Sequence, residues 1–106
     1  MNLAETPKTD CRTPTQDRDG VTRIPSWKFD VLRAAILDVL SEDDVRFSDL
    51  KERVRPRLSQ ETLSQLGSLG WHVTTVKLEL EVRGEVIRRG GKGPQVIGLP
   101  GDDALP

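Results

Sequence analysis

Apolar side chains recur along the first half of the chain at the spacing of one helix face. Phe29, Leu32, Ile36, Val39 and Leu40 form one stripe, so an amphipathic helix is expected to follow "PSWKFD". Ser26 is the expected cap, Pro25 opposes any earlier helix, and "SEDDV" ends the run. Phe47, Leu50, Val54 and Leu58 repeat the spacing and predict a short second helix capped by Ser48. Pro56 lacks an N–H, so that helix should stop or kink at Arg55. In "SQETLSQLGSLG", Ser59 is an expected cap and Leu63 and Leu66 form a small apolar face, which predicts one further turn or two until Gly67 and Gly70 interrupt it.

The stretch "VKLELEVRGEVIRR", residues 76–89, changes period. Val76, Leu78, Leu80 and Val82 alternate with charged residues as in a half-buried strand, but a single strand of this length would carry Gly84 unpacked in its middle. A helix over residues 71–83 is the better reading. Lys, Leu and Glu favour it, and Gly84 can adopt the left-handed conformation that closes many helices. Projected as a helix, Val73, Val76 and Leu80 share one face, while Trp71, Thr75, Leu78 and Val82 gather on nearly the opposite one. An ordinary surface helix has one apolar face, and this one has two. Beyond it, "EVIRR" and "QVIGL" are β-prone runs joined by the Gly-rich "GGKGP", which predicts a hairpin.

Composition bears on the ends of the chain. Residues 1–24 are dominated by Thr, Asp, Arg, Pro and Gly and are expected to be a disordered or loosely docked tail. Residues 100–106 are expected to be a flexible C-terminus, which leaves one folded unit over 25–99. With 16 Lys and Arg against 17 Asp and Glu the formal charge is -1, so binding to nucleic acid or an anionic membrane would have to come from a local patch. Cys11 is the one cysteine, no apolar run reaches the length of a membrane span, and the first residues lack a signal peptide's basic and apolar regions. A cytoplasmic protein without a membrane partner is expected.

The order helix, short helix, helix and hairpin, entered through "LELEVRGEVIRR", resembles the winged-helix fold of many bacterial transcription regulators. "GWHVTTVKLELEVRGEVIRR" is also similar to a small bacterial family of uncharacterised single-domain winged-helix-like proteins. Val76, Leu80 and Val86 match that family's core pattern around Gly84, and the likeness covers about residues 26–99. It implies an α+β winged helix with three main helices, a short extra turn and a C-terminal β-hairpin wing. It also implies that the helix ending at Gly84 is the recognition helix and "EVIRRGGKGPQVIGL" the wing.

The chemistry is that of binding. No Walker loop, dinucleotide fingerprint or HExxH is present, and one His with one Cys cannot build a typical zinc site, so no enzyme activity, metal or cofactor is expected. His72 is read as structural or capping. Under the resemblance, Thr74, Thr75 and Lys77 would meet base edges or phosphates of double-stranded DNA, and Arg88, Arg89 and Lys92 would reach from the wing towards backbone or minor groove. Two features oppose that reading: Glu79 and Glu81 would repel phosphates unless neutralised, and Trp71, Leu78 and Val82 place apolar surface on the reading helix. DNA binding in bacterial gene regulation is the first expectation, and the alternative is a protein-interaction or homodimerisation module in which that apolar face meets a second copy or another protein, unless the N-terminal segment around Ile24 and Trp27 covers it. Arg53, Arg55 and Arg57 are expected to pair with Glu52, Asp49 and Glu61.

Overall fold

The computed structural model describes residues 7–13, 21–89, 93 and 95–101. Among the described residues, four helices and two small antiparallel sheets make an α+β fold. Strands β1 (Lys8–Arg12) and β2 (Val21–Pro25) pair first, with Cys11 opposite Thr22 and Thr9 opposite Ile24. Helix α1 (Ser26–Glu42) follows directly. Next come the two-residue strand β3 (Val45–Arg46), helix α2 (Phe47–Val54), a 3-10 turn over Arg55–Arg57, and helices α3 (Gln60–Leu66) and α4 (Leu69–Arg83). Strands β4 (Ile87–Arg89) and β5 (Val96–Gly98) complete a three-stranded sheet of order β3-β5-β4. Among the described residues no helix is long and apolar enough to cross a membrane.

The helical stripes build one core. Phe29, Leu32, Ile36, Val39 and Leu40 of α1 meet Leu50 and Val54 of α2 and Val73, Val76 and Leu80 of α4, all buried. Each apolar side chain of this size withdrawn from water contributes roughly 1.5–3 kcal/mol. Val86, Ile97 and Val45 carry the core into the three-stranded sheet. The helix reading of residues 71–83 holds because both ends are closed. Ser68 accepts from Trp71 N at one end, and Gly84, at φ 78°, lets Glu85 N and Val86 N reach back to Leu80 O at the other.

Several expectations are corrected. Residues 8–12 and 21–24 are strands in place of a loose tail, with Cys11 and Ile24 buried against α1 and α4. Average composition could not show that two apolar residues suffice when backbone pairing and a buried ion cluster complete the contact. Ser26 caps nothing: its hydroxyl is 2.7 Å from the Thr9 hydroxyl and its N–H donates to Pro7 O, tying α1 to β1. Ser48 lies inside α2, which starts at Phe47 without a side-chain cap. Ser59 does cap α3, which is a seven-residue helix closed by Gly67 at φ 88°. Gly70 falls in the first turn of α4, where the Lys51 side chain packs against it. Strand β3 was not anticipated, because two residues show no period.

Candidate binding face on the fourth helix

Helix α4 is enclosed on three sides and open on one. At about 100° per residue, Trp71, Leu78 and Val82 fall within roughly 20° of one outward line, with Thr75 beside them and Thr74 nearer the edge. Trp71 is 49% exposed, whereas Leu78, Val82, Thr74 and Thr75 are half-buried. Trp71 stands edge-on to His72 with ring centroids 4.8 Å apart. His72 Nδ1 lies 2.6 Å from Ser68 O, so its ring serves the helix start as expected of a structural residue.

On one flank of this line, Glu79 is buried at 1% exposure under β1. It accepts from Arg12 Nε at 3.1 Å, Arg12 Nη2 at 2.8 Å, Arg12 backbone N at 2.8 Å and Arg83 Nε at 2.8 Å. Burial pushes the Glu79 carboxyl up, but the hydrogen bonds from Arg12 and Arg83 overcome that and hold it at about 2 against an ordinary 4.5. Arg83 also stacks over the Phe29 ring at 4.6 Å, joining α4 to α1. Cys11 lies in the same layer, where burial and then the Glu79 charge raise its thiol to about 11.

On the other flank lies a second cluster. Lys77 is only 2% exposed: its ammonium donates to Gln95 Oε1 at 2.6 Å, sits 4.4 Å above the Phe47 ring and pairs with Glu81. Burial lowers the Lys77 pKa, and the Glu81 carboxylate offsets part of that. Glu81 in turn accepts from Arg88 Nε of β4 at 2.7 Å.

These positions rearrange the expected contact set. Thr74 and Thr75 do lie on the outer side of α4. Lys77 does not; its placement corrects the expectation of a base or phosphate contact, because its ammonium is consumed between α2 and the approach to β5. Arg88 is on the surface but paired with Glu81, and Arg89 is turned to Asp44 at 3.0 Å and to Leu99 O. Lys92 lies outside the described residues. Glu79 and Glu81 are buried and neutralised by Arg12, Arg83, Lys77 and Arg88, the condition under which their repulsion of phosphates falls away. Among the arginines near the second helix, Arg55 pairs with Glu52 as anticipated, while Arg57 reaches Asp38 and Glu42 of α1 in place of Asp49 or Glu61. Arg12 is the residue that sequence reasoning missed. Sixty-seven positions separate it from Glu79, and no local pattern links them.

Away from α4, a shallow groove of about 480 Å³ runs between α1 and α3, lined by Ala34, Asp38, Arg57 and Thr62 among others. No cluster of three or more His, Cys, Asp or Glu able to hold a metal occurs among the described residues. A family model described as a family of unknown function (DUF6958) matches residues 8–97, from the start of β1 into β5. No curated protein and no solved structure matches the chain.

Proposed function

The chain belongs to that family of unknown function, and we propose from its own residues that it is a non-catalytic, cytoplasmic winged-helix binding module whose outward α4 face takes a protein segment. The winged-helix assignment is supported by the order α1, β3, α2, α3, α4, β4, β5, in which the short α3 is extra, and by a sheet in which β5 lies between β3 and β4. It implies that α4 is the presented helix and β4–β5 the wing.

One observation carries the choice of partner. The lysine of α4 is buried, while a half-exposed tryptophan heads an outward line of aliphatic side chains. A DNA-reading helix needs polar and cationic groups where this helix has Trp71, Leu78 and Val82. Exposed aromatic surface next to aliphatics marks protein contacts.

Duplex DNA, with a role in bacterial gene regulation, is the second reading. It is favoured by Thr74 and Thr75 on the outer side and by the half-exposed guanidinium of Arg88. Gel retardation with mixed-sequence duplex at low salt separates the two. Micromolar protein is expected to leave the duplex unshifted. A shift that collapses as salt rises, with a slope flattened by replacing Arg88 and Arg89 with Ala, would transfer the face to DNA.

A further inference from the structure

The carboxylates that flank the apolar line are hidden, and the guanidiniums paired with them are not. Glu79 projects about 80° to one side of Trp71 and Glu81 about 80° to the other. Their side chains are 1% and 7% exposed, against 53% for Arg12 and 43% for Arg88. Arg83 adds a third guanidinium on the Glu79 side. Arg12 arrives on β1 and Arg88 on β4, so the two rims belong to different strand pairs. Seen from outside, the face is an apolar floor between two cationic edges, although the ion clusters beneath hold most of the balancing charge.

Resting on the protein-binding reading above, we infer that the occupant of this face is an amphipathic helical segment with acidic flanks. Its apolar side chains, three and four residues apart, would lie along Trp71, Leu78 and Val82. Its carboxylates would meet the Arg12 and Arg88 guanidiniums, whose planar donor forks suit carboxylate oxygens. A second copy of this chain fits the edges poorly. A two-fold axis in the plane of contact sets an arginine edge against an arginine edge whether the two α4 helices run parallel or antiparallel. Like charges brought together across an interface cost affinity. Duplex DNA satisfies the edges but leaves the floor unmatched.

The test is a selection on the full chain from a displayed library of random peptides about 16 residues long, enough for four helical turns. Trp71→Ala serves as the counter-selection variant, because Trp71 is exposed and its loss leaves the core intact. Enriched peptides are expected to carry more Asp and Glu than Lys and Arg, with apolar residues at helical spacing. They should bind wild type about tenfold more tightly than Trp71→Ala, as befits a central aromatic anchor, and should weaken with Arg88→Ala and with added salt.

Peptides that depend on Trp71 but are neutral or basic would overturn the acidic partner and leave the protein-binding reading standing. A wild-type dimer that Leu78→Asp turns into a folded monomer would give the face to a second copy, which also overturns this inference alone. A monomer that enriches no Trp71-dependent peptide would overturn both.

Discussion

The two strand pairs approach α4 from opposite sides, and each is fastened to one of its carboxylates, but they lean on those carboxylates to different degrees. The C-terminal pair β4–β5 continues the shared hydrophobic core through Val86 and Ile97, and β3 joins it as a third strand through Val45. The N-terminal pair β1–β2 buries Cys11 and Ile24, is two-stranded among the described residues, and closes over Glu79 through Arg12. Two-stranded sheets are marginal in water unless something packs against them. Both pairs bury two apolar side chains in the shared core, but the two-stranded one adds three hydrogen bonds from Arg12 to Glu79 where the other adds a third strand, so the buried charge is expected to matter more on the N-terminal side.

The harshest way to probe that difference is Glu79→Ala. It removes the acceptor of four hydrogen bonds, all from charged side chains or the β1 backbone. Stability is expected to fall by on the order of 3 kcal/mol, since charge-assisted bonds to a buried carboxylate are the strong kind. Cys11 provides a built-in reporter. Buried and with its thiol held near 11, it should resist alkylation in the wild type at pH 8. In the variant it should react about tenfold faster or more, as the strand pair opens locally before the helices do. A variant that keeps Cys11 protected would show that Ile24 and backbone pairing hold the N-terminal pair unaided.

This asymmetry also explains what the sequence made legible. The helices of the core announced themselves through period, and α4 through the Gly84 stop, because those signals lie within a few residues of one another. The C-terminal pair was readable for the same reason: two β-prone runs bracket a Gly-rich link. The N-terminal pair was not, since Arg12 meets Glu79 across the fold and Thr9 meets Ser26, contacts no window contains. The face itself was half legible. The second apolar line of α4 followed from projection alone, but the fate of its charges did not, because Lys77 is buried by Phe47 and Gln95 from distant segments.

A gentler probe uses acid. The folded pKa of Glu79 is depressed to about 2 from 4.5, so its contribution is fully present above 4.5 and is lost as pH falls from there through about 2. The protection factors of the β1 and β2 amides, taken against the intrinsic exchange rate at each pH, are therefore expected to fall across that window while the amides of α1 and α4 remain protected further into acid. Glu79→Gln, which cannot titrate, should flatten the response of β1 and β2. If both strand pairs lost protection together, the N-terminal one would not depend on Glu79 more than the C-terminal one depends on its own carboxylate.

The smallest effect is expected from Lys77→Met, and it completes the comparison from the other side. Methionine keeps the length and much of the volume that packs under Phe47, while removing an ammonium whose burial is itself unfavourable. Glu81 keeps one cation, because Arg88 still donates to its Oε1 from β4 at 2.7 Å, while its Oε2 loses Lys77. Gln95 loses a partner, yet its backbone carbonyl continues to accept from Phe47 N, so the junction between α2 and the approach to β5 persists. Removing one partner of a buried ion pair is ordinarily costly; with Arg88 still neutralising Glu81, the expected fall is about 1–2 kcal/mol, smaller than for Glu79→Ala, read as a thermal midpoint lowered by roughly 4–16 °C. A loss as large as that of Glu79→Ala would mean that Lys77 fastens the C-terminal pair as Glu79 fastens the N-terminal one. The two sides of α4 would then be alike.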